Sequence, residues 1–147
     1  MSTPESRPNW SFDCGLGDLL VVRSAAHTLD YIVLGSVEFG PYELGTPLIL
    51  VLGHQRCGAV IAAVEAFQDD HWPPGHLEDV VEALRPAYSL AVRQRGGDLI
   101  DKMVRLNVGL TVDRLRKDKD LAPLLGPQLD TVGGYYNLTT GSVDIIA

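Results

Sequence analysis

The chain is poor in cysteine, in basic residues and in long apolar runs, and each shortage excludes a class of protein. Its 147 residues include two cysteines, Cys14 and Cys57, which are too few for a disulfide framework. Twelve Lys and Arg against 19 Asp and Glu give a formal net charge of -7, so nucleic acid is not an expected partner. No apolar run approaches the roughly 20 residues of a membrane-spanning helix, and residues 1–10 lack a secretion-signal pattern. We therefore expect a cytoplasmic protein with no membrane partner.

The composition is typical of a folded protein. Hydrophobic residues make up 46% of the chain and charged residues 21%, which predicts a single globular domain with its own core. Residues 1–11 are polar, contain Pro4 and Pro8, and follow neither a strand period nor a helix period, so we predict a flexible arm there. The domain itself is predicted to span residues 12–147.

Apolar patterning predicts alternating strands and helices in the first half of the chain. Residues 19–22 predict a short buried strand, and residues 47–52, apolar on both pleat faces, predict a central strand of a parallel sheet. Residues 32–44 have helical spacing, but the Gly-Pro pair at positions 40–41 removes a backbone donor and predicts a short or kinked helix. A helix rich in alanine and valine is expected over residues 58–67.

The second half predicts two long helices and a hairpin. Helices are expected over residues 77–95 and, after two glycines, over residues 99–116. The chain is then predicted to end in a β-hairpin with strands at residues 131–138 and 142–146.

The stretch that carries chemistry joins the predicted central strand to the next helix, with the sequence Gly-His-Gln-Arg-Cys-Gly at residues 53–58. His54 and Cys57 lie three residues apart at the carboxyl end of a parallel strand, where ligands converge, so both could reach one zinc ion. The helix after Cys57 favours the thiolate of this residue. The pair is half of a zinc site. Taken alone, such a pair is more often a packed thiol beside a surface histidine than a zinc site, because structural zinc needs four ligands.

Three segments together, residues 12–27, 33–39 and 47–60, resemble the β-class carbonic anhydrases in order and spacing. The resemblance continues more weakly through residues 107–112 and 132–141. It implies a three-layer α/β fold with a mostly parallel central sheet and a C-terminal hairpin. It also implies reversible hydration of CO2 to bicarbonate by one zinc ion, which the family holds with two cysteines and one histidine.

The resemblance matches His54 and Cys57 to the second and third zinc ligands of the family. The first ligand lies in a Cys-x-Asp-Ser-Arg motif, whose Asp-Arg pair orients the zinc-bound water, and residues 1–11 contain no cysteine. Residues 3–7 can be laid over this motif with Thr3 at the ligand position and Arg7 retained, which makes Arg7 a weak candidate for the catalytic arginine. We therefore expect an N-terminally truncated or degenerate member of the family.

Two side chains are considered as replacements for the missing ligand. Cys14 precedes the predicted strand at residues 19–22 and is expected at its far end, whereas His27 lies after that strand and is expected near the zinc crevice. We therefore favour His27 over Cys14, with water or a neighbouring chain as further possibilities. A histidine in a polar loop could also simply be exposed to solvent.

Loss of the strand that bears the first ligand also affects the expected fold. In the family that strand lies between the strands matching residues 19–22 and 47–52. Its absence should leave a gap, or force those two strands together, unless residues 1–11 or a partner subunit fill the place.

On the substrate side, Arg23 matches a family arginine near the cleft, although it could be only a surface charge, and Gly58 leaves backbone accessible beside the thiol. The expected partners are CO2 and bicarbonate, with a homodimer or higher homo-oligomer carried over from the family. Two other functions stay open: a non-catalytic homologue that serves as a small-anion-binding or assembly module, and a hydrolase on a modified metal site.

Overall fold

A parallel pair of strands forms the centre of the fold in the computed structural model of the chain, which describes residues 12–147. Strand β1 (Leu48–His54) pairs in parallel with β2 (Asp130–Tyr136), in a register that runs from Leu48 opposite Asp130 to His54 opposite Tyr136. Strand β3 (Val143–Ile145) pairs antiparallel with β2, which gives the order β1-β2-β3 within the described residues. The predicted parallel strand and the C-terminal hairpin are confirmed, but within the described residues β2 is the middle strand and β1 lies at the edge.

The first helix changes its winding where the sequence predicts a break. Helix α1 (Tyr31–Phe39) begins at Asp30, whose carboxylate accepts a 2.8 Å hydrogen bond from the amide of Val33. It passes into a π-helical turn, Gly40–Leu44, that contains Pro41. Because proline lacks an amide hydrogen, the regular α pattern cannot continue through it.

Helix α2 (Gly58–Asp69) begins after a short turn at the end of β1, as predicted, although it ends two residues later than expected. The continuous helix expected over residues 77–95 is wrong: the chain forms α3 (Leu77–Ala83) and α4 (Arg85–Ala91), which meet at Leu84. Pro86 lies in the first turn of α4, where its missing amide hydrogen is tolerated, whereas the interior of a longer helix would not accommodate it.

Helix α5 (Leu99–Arg116) has the predicted bounds and packs on the sheet and on helices α2 and α4. Asp98 caps it by accepting a 2.7 Å hydrogen bond from the amide of Asp101. One face of the helix is buried in two adjoining clusters of the core, through Met103, Val104, Val108, Val112 and Leu115. Within residues 12–147, no helix has the length and the apolar character needed to cross a bilayer.

The strand predicted at residues 19–22 is wrong. This segment forms no strand, and Leu19, Leu20 and Val21 expose 37%, 46% and 44% of their surface. An apolar stretch needs a neighbouring strand to satisfy its amides, and no strand among residues 12–147 pairs with this one.

The edge of β1 that faces away from β2 has no strand partner within the described part of the chain. Pro47 accepts a hydrogen bond from the amide of Asp130, and the amide of Gln55 donates to Tyr136, so the odd-numbered positions bond to β2. In a parallel ladder the alternate residues present their backbone groups to the other side. The even-numbered positions from Leu48 to Leu52 therefore face this second edge, to which residues 12–147 contribute no strand.

The close approach of α5 to the sheet makes Gly133 in β2 sensitive to substitution. A Cβ atom there would lie 2.6 Å from Cγ1 of Val108 and 3.2 Å from Cγ2 of Val112. We expect Gly133→Ala to lower the free energy of unfolding by about 1–3 kcal/mol through overpacking. The midpoint of urea unfolding, followed by circular dichroism, measures the change.

Gly109, inside α5, provides the matched control, because no heavy atom lies within 4 Å of the position of its added Cβ. Gly109→Ala should raise the free energy of unfolding by about 0.5–1 kcal/mol, since alanine is the better helix former. Equal midpoints for the two variants would contradict the close packing of α5 on Gly133.

Candidate metal centre

The turn at the end of β1 brings His54 and Cys57 together. Its first amide, that of Gln55, donates a 2.9 Å hydrogen bond to the carbonyl of Tyr136 and so holds the turn against β2. Arg56 has a left-handed φ of 54°, a conformation that costs a residue other than glycine roughly 1–2 kcal/mol. After this reversal, the imidazole of His54 and the thiol of Cys57 hydrogen-bond to each other.

The surroundings of Cys57 favour its thiolate. The residue is only 7% exposed, and burial alone would raise its pKa. The hydrogen bond with His54 and the backbone amides of Val60 and Ala59 outweigh this burial, so the pKa of the thiol falls below its ordinary value. Those two amides belong to the first turn of α2, where unpaired donors stabilise an anion. The thiolate is the form of cysteine that binds metals.

His54 is half-buried, and its ring is oriented by the backbone. Its Nδ1 lies 3.1 Å from the carbonyl oxygen of Gln55. Because a carbonyl can only accept, Nδ1 is the donor in this contact. Metal-binding histidines commonly use one ring nitrogen for such a backbone contact and the other for the metal.

The structure places His27 beside this pair, half-buried rather than free in solvent. It ends a short 3-10 turn, Ala25–His27, in which Ala26 and His27 have left-handed φ values of 48° and 43°. Its Nε2 lies 3.7 Å from the point that a Cβ atom on Gly53 would occupy. Burial, together with the nearby His54, lowers the pKa of His27 to about 4, so its ring is neutral at neutral pH.

Two side chains of α5 hold this turn, and sequence reasoning gave them no role. The Nδ2 of Asn107 donates a 3.0 Å hydrogen bond to the carbonyl of Ala26. The Oγ1 of Thr111 lies 3.1 Å from Nδ1 of His27. Asn107 and Thr111 are four residues apart on one helix face, and polar residues at that spacing inside an apolar helix were the available signal.

The donor atoms of His27, His54 and Cys57 do not all lie within 4.8 Å of one another. In residues 12–147 the one group of three possible ligands that meets this distance is Glu38, Asp118 and Asp120. Lys119 lies beside that group and pairs with Asp120 at 2.7 Å, so part of its negative charge is already balanced.

The other predicted site residues lie apart from the pair. Arg23 is exposed and lines a groove with Leu20, Tyr31 and Ile32. Gly58 begins α2 and is exposed, with no heavy atom within 4 Å of the position of an added Cβ. The Sγ of Cys14 donates to the carbonyl of Phe12 at 3.4 Å. Arg7 and the predicted arm at residues 1–11 lie outside the described residues.

The donor set of the turn fits zinc in its chemistry. A thiolate and a neutral imidazole are the two ligand types that zinc most often takes in proteins. Both are held in place here: the amides of α2 stabilise the sulfur anion, and the carbonyl of Gln55 orients the imidazole. Two such ligands are fewer than the three protein ligands of a typical catalytic zinc.

Comparison with known proteins gives consistent matches along the chain. The family model described as carbonic anhydrase matches residues 5–143. Carbonic anhydrase 2 of Mycobacterium tuberculosis is 42% identical over 132 residues, which cover 88% of this chain and 63% of that protein. The carbonic anhydrase of Mycolicibacterium smegmatis is 39% identical over 137 residues, covering 91% of this chain and 66% of the relative.

Solved structures give the same result for the fold. A tetrameric β-carbonic anhydrase of the filamentous ascomycete Sordaria macrospora aligns with a TM-score of 0.86 at 17% identity, covering 99% of this chain and 77% of that one. The Coccomyxa β-carbonic anhydrase, solved in complex with acetazolamide, aligns with a TM-score of 0.81 at 24% identity, covering 98% and 68%. These likenesses confirm the predicted α/β fold.

The lowered pKa of His27 predicts how the stability of the metal-free protein depends on pH. The unfolded chain takes up a proton near the ordinary pKa of 6.5, whereas the folded chain does so only near 4. Acidification between these values therefore favours unfolding, by up to about 3 kcal/mol. His27→Asn should lose less stability than the parent between about pH 7.5 and about pH 5.

Urea unfolding in the presence of a chelator measures this difference. His76→Asn is the control, because His76 is fully exposed and contacts only its neighbour Asp79. If the parent and His27→Asn lose equal stability on acidification, His27 is not shielded from protons in the folded state.

Proposed function

The chain belongs to the β class of the carbonic anhydrase family, and we propose that it interconverts CO2 and bicarbonate with a zinc ion held by His54 and Cys57. It spans 63% of the length of the mycobacterial relative that it matches at 42% identity. The activity, the substrates and the assembly of this chain are therefore proposals.

The observation that carries the proposal is the hydrogen-bonded pair of His54 and Cys57 with its supporting contacts. A packed thiol without function has no need of a lowered pKa, yet two helix amides and an imidazole are directed at this sulfur. A surface histidine likewise does not need a fixed ring orientation, which the carbonyl of Gln55 provides here. These contacts support the metal-binding interpretation of the His-x-x-Cys sequence.

The proposal assigns the following roles to residues in and around the turn. His54 and Cys57 hold the metal, the amides of Val60 and Ala59 keep the sulfur anionic, and the bond from Gln55 to Tyr136 fixes the turn on the sheet. When bound, zinc supplies a nucleophile near neutral pH by lowering the pKa of a coordinated water to about 7. The protein's contribution is to hold and orient the two ligands.

Two residues serve the substrate side. Gly58 comes directly after the ligand Cys57 and adds no side chain, and the space around it is open, so CO2 can approach the sulfur side of the metal. Arg23 is assigned to attracting bicarbonate through its match to the family arginine and its exposed guanidinium. Arg7 stays a weak candidate for the catalytic arginine.

The non-catalytic alternative rests on one feature, the absence of a Cys-x-Asp-Ser-Arg motif among these 147 residues. That motif would supply both a third ligand and the group that orients the water. A module that binds only an anion would need neither zinc nor turnover. Measuring zinc content and CO2 hydration on the same sample therefore distinguishes the enzyme from the binding module.

We further propose that the chain forms a homodimer or a higher homo-oligomer. Tyr31 and Ile32 expose 92% and 80% of their surface, and they line one groove with the apolar side chains of Leu20, Val21 and Phe39. A second copy is the expected cover for this groove, because exposed apolar patches of this kind mark protein interfaces and the Sordaria relative is tetrameric. A cytoplasmic location stays a prediction.

Stopped-flow CO2 hydration with a pH indicator tests the proposed activity. The zinc-loaded chain should hydrate CO2 faster than buffer, and Cys57→Ser should lower kcat/KM at least about 100-fold, because serine is a poor zinc ligand. Removal of zinc by a chelator should abolish the activity, and added zinc should restore it.

Cys14→Ser is the matched control and should leave kcat/KM unchanged, since the Cys14 thiol donates to a carbonyl of its own loop. Zinc-loaded protein without turnover would overturn the enzymatic proposal and favour the binding module. Activity that survives in Cys57→Ser would exclude this turn as the centre.

Ile32→Glu tests the proposed assembly, because it places a carboxylate in the exposed apolar groove. We expect light scattering after size-exclusion chromatography to show an oligomer for the parent and a monomer for Ile32→Glu. Leu77→Glu is the control: Leu77 is also exposed, at 58%, but it begins α3 outside that groove. A monomeric parent, or an unaltered Ile32→Glu oligomer, would contradict the assignment.

A further inference from the structure

Gln55, the residue directly after His54, connects the turn that carries His54 and Cys57 to two other parts of the molecule. Its amide donates a 2.9 Å hydrogen bond to the carbonyl of Tyr136 at the end of β2. Its carbonyl accepts from Nδ1 of His54 at 3.1 Å. Its side-chain Oε1 accepts a 3.3 Å hydrogen bond from the hydroxyl of Thr139, 84 positions later in the chain. One residue thus joins a proposed metal ligand both to the sheet and to the loop between β2 and β3.

The loop between β2 and β3, residues 137–142, is closed by hydrogen bonds around Asn137. The side-chain oxygen of Asn137 accepts from the amides of Thr139 and Thr140 at 2.9 and 3.2 Å, an arrangement typical of a turn stabilised by an asparagine side chain. The backbone of the same asparagine bonds twice more across the loop. The backbone at Thr139 is therefore fixed by its own loop, so its hydroxyl can hold the side chain of Gln55.

The peptide group between Gln55 and Arg56 has an orientation that costs energy. Arg56 has a left-handed φ of 54°, which is strained for a residue other than glycine. Rotation of this peptide group would bring the φ of Arg56 to an ordinary negative value and relieve the strain. The same rotation would turn the carbonyl of Gln55 away from Nδ1 of His54. The strained conformation is thus the one that keeps the His54 ring in its orientation.

We propose that Gln55 is a positioning residue of the zinc site. Its side chain, bonded to Thr139, holds the strained peptide group so that the carbonyl continues to orient the ring of His54. This role rests on the proposed function, because a fixed ring orientation matters here only if His54 holds the metal. Gln55 is not itself a ligand and acts through the histidine. Outer contacts of this kind orient metal-binding histidines and raise the affinity for the metal.

Zinc affinity, measured by competition with a chelator on the 147-residue chain, tests this role. Gln55→Ala removes the acceptor, and Thr139→Val removes the donor with little change of side-chain shape, so each should weaken zinc binding about 3–10-fold. The double variant should bind zinc no more weakly than either single variant, because both changes remove the same hydrogen bond. Gln55→Glu keeps an acceptor oxygen and should bind zinc at least as tightly as the parent.

Thr140→Val is the matched control, because the hydroxyl of Thr140 lies 2.7 Å from that of Ser142 within the loop. It should leave zinc binding unchanged. Thr139 and Thr140 are both exposed, so the metal-free variants at these positions should unfold in urea at midpoints close to that of the parent. A loss of zinc affinity without a loss of stability separates positioning of the ligand from support of the fold.

NMR relaxation dispersion on the metal-free chain gives a second readout that does not require zinc. In the parent and in Thr140→Val, the amides of Arg56 and Cys57 should show no exchange. In Gln55→Ala and in Thr139→Val they should show exchange on the microsecond-to-millisecond timescale, because the released peptide group alternates between two orientations.

The outcomes distinguish the role of Gln55 from the proposed function. If the parent binds zinc and both single variants bind it equally well, or if their effects add in the double variant, the role of Gln55 is overturned while the site at His54 and Cys57 stands. Absence of exchange in both single variants also overturns this role, since the peptide group is then held without the side chain. A parent that binds no zinc overturns both proposals.

Discussion

The close packing of α5 against the glycine-bearing face of the sheet determines how the core is arranged and where the proposed metal centre lies. The side chain of Val108 packs against Gly53 of β1 and Gly133 of β2. A Cβ atom added at either glycine would lie 2.6 Å from a methyl carbon of Val108. The helix can therefore lie unusually near both strands. Because Gly53 is the last residue before His54, this contact also fixes the distance between the helix and the proposed metal centre.

The same helix connects the core to the site. Its valines at positions 104, 108 and 112 repeat every four residues and face the sheet, whereas Asn107 and Thr111 occupy the neighbouring stripe. This second stripe reaches the turn that contains His27. A strained turn of three residues is thus anchored to a buried stripe of α5, and hydrogen bonds from Asn107 and Thr111 hold it in its strained conformation.

Sequence patterning predicts the elements that are stabilised by local interactions and those that are apolar on every side. Helix α5 has a strong periodic signal and a cap at Asp98, and strand β1 is a continuous apolar run. The break at Gly40 and Pro41 is a consequence of the chemistry of proline. The segment at residues 19–22 could not be predicted in the same way, because a strand depends on the presence of a neighbour. Its apolar composition indicates what it could bury, but not whether a partner is present.

The site was predictable to a similar extent. His54 and Cys57 lie close together because only two residues, in one turn, separate them, so spacing alone suffices. The support for His27 depends on contacts across more than 80 positions of the chain, with Asn107 and Thr111, and no local pattern encodes such a distance. The available signal was two polar residues on an otherwise apolar helix stripe, and it has a meaning only once the helix is placed against the turn.

The measurement that bears most directly on the proposed metal centre is the zinc content of the purified 147-residue chain, determined by elemental mass spectrometry after desalting without chelator. A metal centre at the end of β1 predicts about one zinc ion per chain and almost none in Cys57→Ser. A parent protein with almost no zinc, after growth and purification with zinc present, would contradict the central claim.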